Sequence, residues 1–169
     1  RRVLFRSNIK TITDGVATAS YTYASCGKPT KIVCADATYT MQYDNRGRQT
    51  QLSDPNAGTT RYEYDTFGRI VKQTDARGTI STFTYDAHGL LTNKKCGNIT
   101  TSYIYDNKNI LTCEKNADCV KTYTYDKYQR LTSEIVNTLG HELKTSYTYD
   151  IYGRPLTTTY PDGTKKNSY

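Results

Sequence analysis

The chain has no tryptophan, one methionine and three phenylalanines among its 169 residues. Leu, Ile, Val and Phe together stay below the ~20% share under which a chain usually reads as disordered. A thick apolar core is therefore excluded. No run of about 18 apolar residues occurs, so no transmembrane helix and no membrane insertion by this segment are expected. No charged, apolar, small-residue leader opens the chain. No CxxC pair is present, and His88 and His141 stand far apart, so the ligands of a zinc site are missing. No Ser-His-Asp, Cys-His or paired-carboxylate arrangement can be assembled. An enzyme is not expected, and no cofactor and no metal are expected.

Tyrosine is what the chain does have, with 17 copies. Tyr-Asp occurs six times, at Tyr43-Asp44, Tyr64-Asp65, Tyr85-Asp86, Tyr105-Asp106, Tyr125-Asp126 and Tyr149-Asp150, in steps of 21, 21, 20, 20 and 24 residues. A period of this length marks a stacked repeat array, and arrays build surfaces and walls. The approach to each Tyr-Asp alternates aromatic and Thr, as in Ser81-Thr82-Phe83-Thr84-Tyr85, which is the two-residue period of a strand. Asp followed three residues later by Gly is turn chemistry: the carboxylate accepts from a nearby backbone amide, and Gly supplies a positive φ. Gly27, Gly47, Gly68, Gly89 and Gly153 fill that slot, and Asn109 fills it once. Gln129 departs from the pattern and predicts a different or strained turn. Tyr21 to Lys28 reads as a worn first copy with Ala24 in place of Asp. The 24-residue step predicts a longer loop near Asn137-Thr138-Leu139-Gly140. The fold expected is all-β, an antiparallel meander of about seven hairpin repeats with a period of 20–24 residues.

The unit Tyr-Asp-x-x-Gly-Arg followed by an aliphatic residue, repeated in register over roughly residues 12–169, resembles the YD-repeat, or Rhs, family. The Arg slot holds Arg48, Arg69, Arg130 and Arg154, with Leu90 and Ile110 in the other two copies. The resemblance implies an open segment of a β-spiral that closes into a hollow shell. In Rhs polymorphic toxins and insecticidal toxin complexes such a shell encloses a C-terminal toxin domain, and in teneurins a related shell takes part in adhesion. It implies a secreted or cell-surface location, and partners in the remainder of the same chain: further repeats and an enclosed toxin domain. An adhesin gripping glycans or a cell-surface protein is the alternative. Asp54-Pro55-Asn56-Ala57-Gly58 shares letters with the self-cleavage segment of Rhs shells, but the spacing differs and a far turn explains them.

Residues 1–7 match a translated sequencing adapter and are expected to be a non-native leader, leaving 8–169 as an array cut at both ends. Without them the charge falls from +7 to +4, because three Arg are removed. That charge is too small and scattered for a phosphate-binding face, so no nucleic acid is expected. The repeated Arg is expected to pair with or stack on the neighbouring repeat. Cys113 and Cys119 flank an apparent hairpin turn. A three-residue loop centred on Asn116 would set them opposite each other, within reach of a disulfide. Free thiols are the other reading, and the residues leave both open. Asn98-Ile99-Thr100 matches a glycosylation sequon.

Overall fold

The computed structural model describes residues 8–13 and 17–168, and every regular element among them is a β-strand. The expected leader at residues 1–7 lies outside the described residues. Sixteen strands follow one another in chain order as hydrogen-bonded neighbours, antiparallel within each unit. Two compact units divide between Thr82 and Phe83. The first holds β1 (Thr11–Thr13), β2 (Thr18–Tyr23), β3 (Pro29–Cys34), β4 (Ala37–Tyr43), β5 (Gln49–Asp54), β6 (Gly58–Tyr64) and β7 (Ile70–Thr74). The division falls inside β8 (Ile80–Tyr85). The second holds β9 (Leu91–Cys96), β10 (Ile99–Tyr105), β11 (Leu111–Lys115), β12 (Cys119–Tyr125), β13 (Leu131–Thr138), β14 (His141–Tyr149), β15 (Pro155–Thr159) and β16 (Lys165–Asn167).

The alternation in sequence becomes two unlike faces. In the first unit Tyr21 lies opposite Ile32, Ile32 opposite Tyr39, Met41 opposite Leu52 and Tyr62 opposite Gln73. In the second unit Tyr103 faces Glu114 and Tyr123 faces Glu134. The other face is hydroxyl-rich: Thr40 pairs with Ser53 and Ser53 with Thr59, while Thr124 pairs with Ser133 and Ser133 with Ser146. These hydroxyls bond across strands, at 3.0 Å for Ser53–Thr59 and 2.8 Å for Thr124–Ser133.

A β-bulge follows the Tyr-Asp turns. Tyr105 lies opposite Leu111 while Ile104 lies opposite Cys113, which leaves Thr112 as the extra residue. The same shift occurs at Tyr23, Tyr43, Tyr64, Tyr125 and Tyr149. Threonine suits the position because its hydroxyl donates back across the bulge, from Thr112 to the Ile104 carbonyl (3.2 Å) and from Thr132 to that of Thr124 (3.0 Å). A bulge recurring once per repeat adds twist at a fixed place in each hairpin.

The structure corrects one expectation and bears on two others that the residues left open. The four extra residues near Leu139 do not form a longer loop. They lengthen β13 and β14, which close on the two-residue turn Leu139-Gly140. Two added residues per strand keep every side chain on its face. Cys113 and Cys119 are free and not opposite each other. The Asn116 amide bonds the Cys119 carbonyl, closing a two-residue turn, and the register places Cys113 across from Thr122. Asn116 prefers that turn because its side-chain oxygen also accepts from the amides of Asp118 and Cys119. Of the two alternatives at Gln129 the strained turn is found: it takes φ 64 and donates its amide to the Asp126 carbonyl as its counterparts do. The cost of that slot falls on Gln129's own backbone.

Candidate functional site: the Tyr-Asp turn ladder

Each Tyr-Asp turn is built by its aspartate. In the Asp65 turn the Asp65 amide donates to the Arg69 carbonyl (2.9 Å) and the Gly68 amide to the Asp65 carbonyl (3.1 Å). Asp65 Oδ1 accepts from the amides of Phe67 and Arg69, both at 2.9 Å. Gly68 sits at φ 88, the left-handed residue that closes a three-residue hairpin loop. Asp44 with Gly47, Asp86 with Gly89, Asp106 with Asn109, Asp126 with Gln129 and Asp150 with Gly153 repeat the scheme. Ala24 keeps the two backbone bonds of the turn without a carboxylate to brace them.

The second carboxylate oxygen receives the arginine. Nε of Arg48, Arg69, Arg130 and Arg154 donates to Oδ2 of Asp44, Asp65, Asp126 and Asp150 at 2.6–2.7 Å. These bonds hold the carboxyls of Asp44 and Asp150 below the usual aspartate range, led by the backbone amides of Arg48 and Arg154. For Asp65 and Asp126 desolvation is the largest influence and pushes upward, but the amide and guanidinium bonds together outweigh it.

Two contacts then tie one repeat to its neighbour. The tyrosine hydroxyl donates to a carbonyl in the preceding repeat: Tyr43 to Pro29 (2.8 Å), Tyr64 to Gln49 (2.6 Å), Tyr105 to Leu91 (2.9 Å), Tyr125 to Leu111 (2.8 Å) and Tyr149 to Leu131 (2.8 Å). Each acceptor is the residue just after the Arg slot. In the opposite direction, Nη1 of Arg48 donates to the Asp65 carbonyl (2.9 Å), and its guanidinium carbon lies 4.7 Å over the Tyr64 ring. Arg130 does the same to Asp150 (3.3 Å) and Tyr149 (4.7 Å). Lys28 fills the Arg slot of the first copy, bonding the Gly47 carbonyl and lying 5.6 Å over Tyr43. Arg48 and Arg130 are 25% and 27% exposed, whereas Arg154, with no such ring over it among the described residues, is 75% exposed.

The hydroxyl ladder was not read from the sequence. Its signal is the constant offset of 14 or 15 residues from each Tyr to its acceptor, stretched to 18 in the long repeat. A second missed feature is the Tyr123 hydroxyl, 3.5 Å from Glu114 Oε2. Desolvation first, then the charges of Glu114 and Glu134, push its phenol up to about 12. Among the described residues no group of three or more His, Cys, Asp or Glu is placed to hold a metal ion.

Antiparallel hairpin repeats, tied to their neighbours by tyrosine hydroxyls and, at turns that carry one, by an arginine, make a wall-building fold. The chain belongs to the Teneurin YD-shell family, whose model matches residues 5–119; an RHS repeat model matches residues 125–165. Among solved structures it is similar to TcdB2-TccC3 without its hypervariable C-terminal region, at TM-score 0.68 and 17% identity, covering 90% of this chain and 9% of that one. A TcdB2-TccC3-TEV structure is similar at TM-score 0.51 and 16% identity over 85% of this chain and 11% of that one. The chain thus spans about a tenth of these neighbours, and the likeness shows the fold. No curated protein matches.

Proposed function

We propose that this chain is a wall segment of a shell in a large secreted or surface-delivered bacterial protein of the Rhs type, with a C-terminal toxin domain enclosed in the same chain. The observation that carries the reading is the repeat-to-repeat ladder of tyrosine hydroxyls, arginines and backbone carbonyls. Such a ladder suits a wall, with Oδ1 of each Tyr-Asp aspartate spent on turn closure rather than acid–base work. The similarity to TcdB2-TccC3, described with a hypervariable C-terminal region, supports a variable domain beyond the repeats. The role is mechanical and non-enzymatic: Tyr, Asp, Gly and Arg of each turn fix hairpin geometry and register, and the sheet holds its cargo.

One observation favours a second reading, an extracellular adhesin for glycans or a partner protein. Phe67, Tyr128 and Tyr152 share the position two residues after the turn aspartate and are 83%, 65% and 78% exposed. Each has an arginine within 5.1–5.4 Å of its ring. A long sequencing read through the gene and both flanks separates the readings. Further repeats leading to a variable C-terminal domain support the shell. Repeats leading to a membrane or cell-wall anchor, with no such domain, overturn it in favour of the adhesin.

A further inference from the structure

Two of the six Tyr-Asp turns lack the arginine. Leu90 and Ile110 stand in its slot after Asp86 and Asp106. The turns themselves are intact: Asp86 Oδ1 accepts from the amides of His88 and Leu90, both at 2.9 Å, and Asp106 Oδ1 from those of Lys108 (2.8 Å) and Ile110 (2.9 Å). Among the described residues no donor reaches Oδ2 of either aspartate.

The arginine-bearing turns show what a guanidinium does in this setting. It bonds the turn's carboxylate, donates to the next aspartate's backbone carbonyl, and lies over the next tyrosine ring. A charge-assisted bond and a cation–π contact are thus made by one planar group. The same three elements recur around Leu90: the Asp86 carboxylate, the Asp106 turn and the Tyr105 ring. They line a surface cavity of about 470 Å3. The carbonyls are equivalent as well, since Asp106 and Asp65 each accept one turn amide and keep a second lone pair.

We propose that this cavity is a binding site for a guanidinium group, supplied by an arginine side chain of a peptide. The Ile110 turn, with Asp106, Tyr125 and the Asp126 carbonyl, is a second such position. The two lie two strands apart, or about 10 Å at the usual ~4.8 Å strand spacing. In a polyproline II segment, residues three apart lie on one side and about 9.3 Å apart. The pair of positions therefore selects an Arg-x-x-Arg peptide.

The test titrates acetyl-Arg-Ala-Ala-Arg-amide into the full chain, following tyrosine ring resonances by NMR. Saturable shifts at Tyr105 and Tyr125 are expected, and their absence overturns the proposal. The same peptide with citrulline for arginine keeps the shape without the charge; binding weaker by about tenfold or more is expected, and equal binding overturns the guanidinium assignment. The double variant Leu90→Arg, Ile110→Arg supplies both groups from within the chain. It is expected to fold, to melt no lower than the parent, and to lose the peptide by about tenfold or more. A variant that binds as before, or one that cannot fold because the slot rejects arginine, refutes the site.

Discussion

Gly58 and Gly78 share a φ of 82° but differ in what surrounds them, and that difference is measurable. A Cβ added at Gly78 would meet nothing within 4 Å, whereas one at Gly58 would lie 2.5 Å from the Cβ of Ala76. Ala76 belongs to the far turn closed by Asp75 and Gly78, so Gly58 is where one far turn approaches the next. Gly78→Ala isolates the backbone cost of a left-handed alanine, roughly 1–2 kcal/mol, offset in part by a stiffer unfolded chain. A net loss of about 1 kcal/mol is expected. Gly58→Ala carries the same cost plus overpacking worth roughly 1–3 kcal/mol, for a total of about 2–4 kcal/mol. Urea denaturation reads both, and each 1 kcal/mol moves the midpoint by about 0.3–1 M at ordinary m-values. Adding Ala76→Gly to Gly58→Ala removes the clash and should recover most of the excess, with Ala76→Gly alone completing the cycle. Equal midpoints for the two alanine variants, or a coupling within about 0.5 kcal/mol of zero, would refute the close-approach argument.

Tyr125→Phe removes the hydroxyl that bonds the Leu111 carbonyl and should cost about 0.5–1.5 kcal/mol by urea denaturation. Tyr152→Phe, at a ring 78% exposed, should cost nothing measurable; equal losses would show that the ladder contributes nothing. Gln129→Gly relieves a side chain at φ 64 and should raise the melting temperature slightly, a gain of under about 1 kcal/mol. A drop would mean that the Gln129 side chain contributes more than its backbone costs. The carboxyls of Asp44, Asp65, Asp75, Asp126, Asp150 and Asp162 are all lowered by folding. Their stabilisation is therefore complete above the unfolded aspartate value of about 3.9 and is lost as pH falls through their folded values. The melting temperature should hold between pH 7 and about 5 and fall steeply below about 4. A flat profile down to pH 2 would show that the turn carboxylates do not stabilise the fold.

Legibility in the sequence followed distance along the chain. The turn was readable because all its bonds join residues at most four apart, and Asp, Gly and Asn advertise that chemistry. Strand existence was readable from the Tyr-Thr alternation. Register was not. The bulge at Thr112 and the pairing of Cys113 with Thr122 depend on where the turn closes, and a shift of one residue there changes every partner beyond it. The long repeat failed for a related reason: four added residues fit a loop or two longer strands equally well until the partner strand is known. The arginine contact to the next repeat was expected because Arg recurs in the slot. The tyrosine contact was missed because the ring accounted for the residue as packing, while the hydroxyl was left without a role.

That hydroxyl bears on why so polar a chain forms a wall at all. Among the described residues Met41 is the only buried hydrophobic side chain and Ser133 the only buried polar one. Apolar contact is therefore spread over half-buried tyrosine and aliphatic side chains along the strands rather than gathered in a core. To that contact are added terms that recur along the array: a turn braced by its aspartate, a bulge threonine in several repeats (Val71 and Leu156 stand there in two others), a hydroxyl bond backward and, where arginine is present, a clamp forward. Each is small, at about 0.5–1.5 kcal/mol for the hydroxyl bond. The hydroxyl bond and the clamp join a repeat only to its neighbours, so their stabilisation accumulates along the array as nearest-neighbour terms. The turns at Leu90 and Ile110 keep the backward bond, from Tyr105 and Tyr125, but have no forward clamp. The wall can tolerate that loss locally, which is what leaves two aspartates free to receive an arginine from elsewhere.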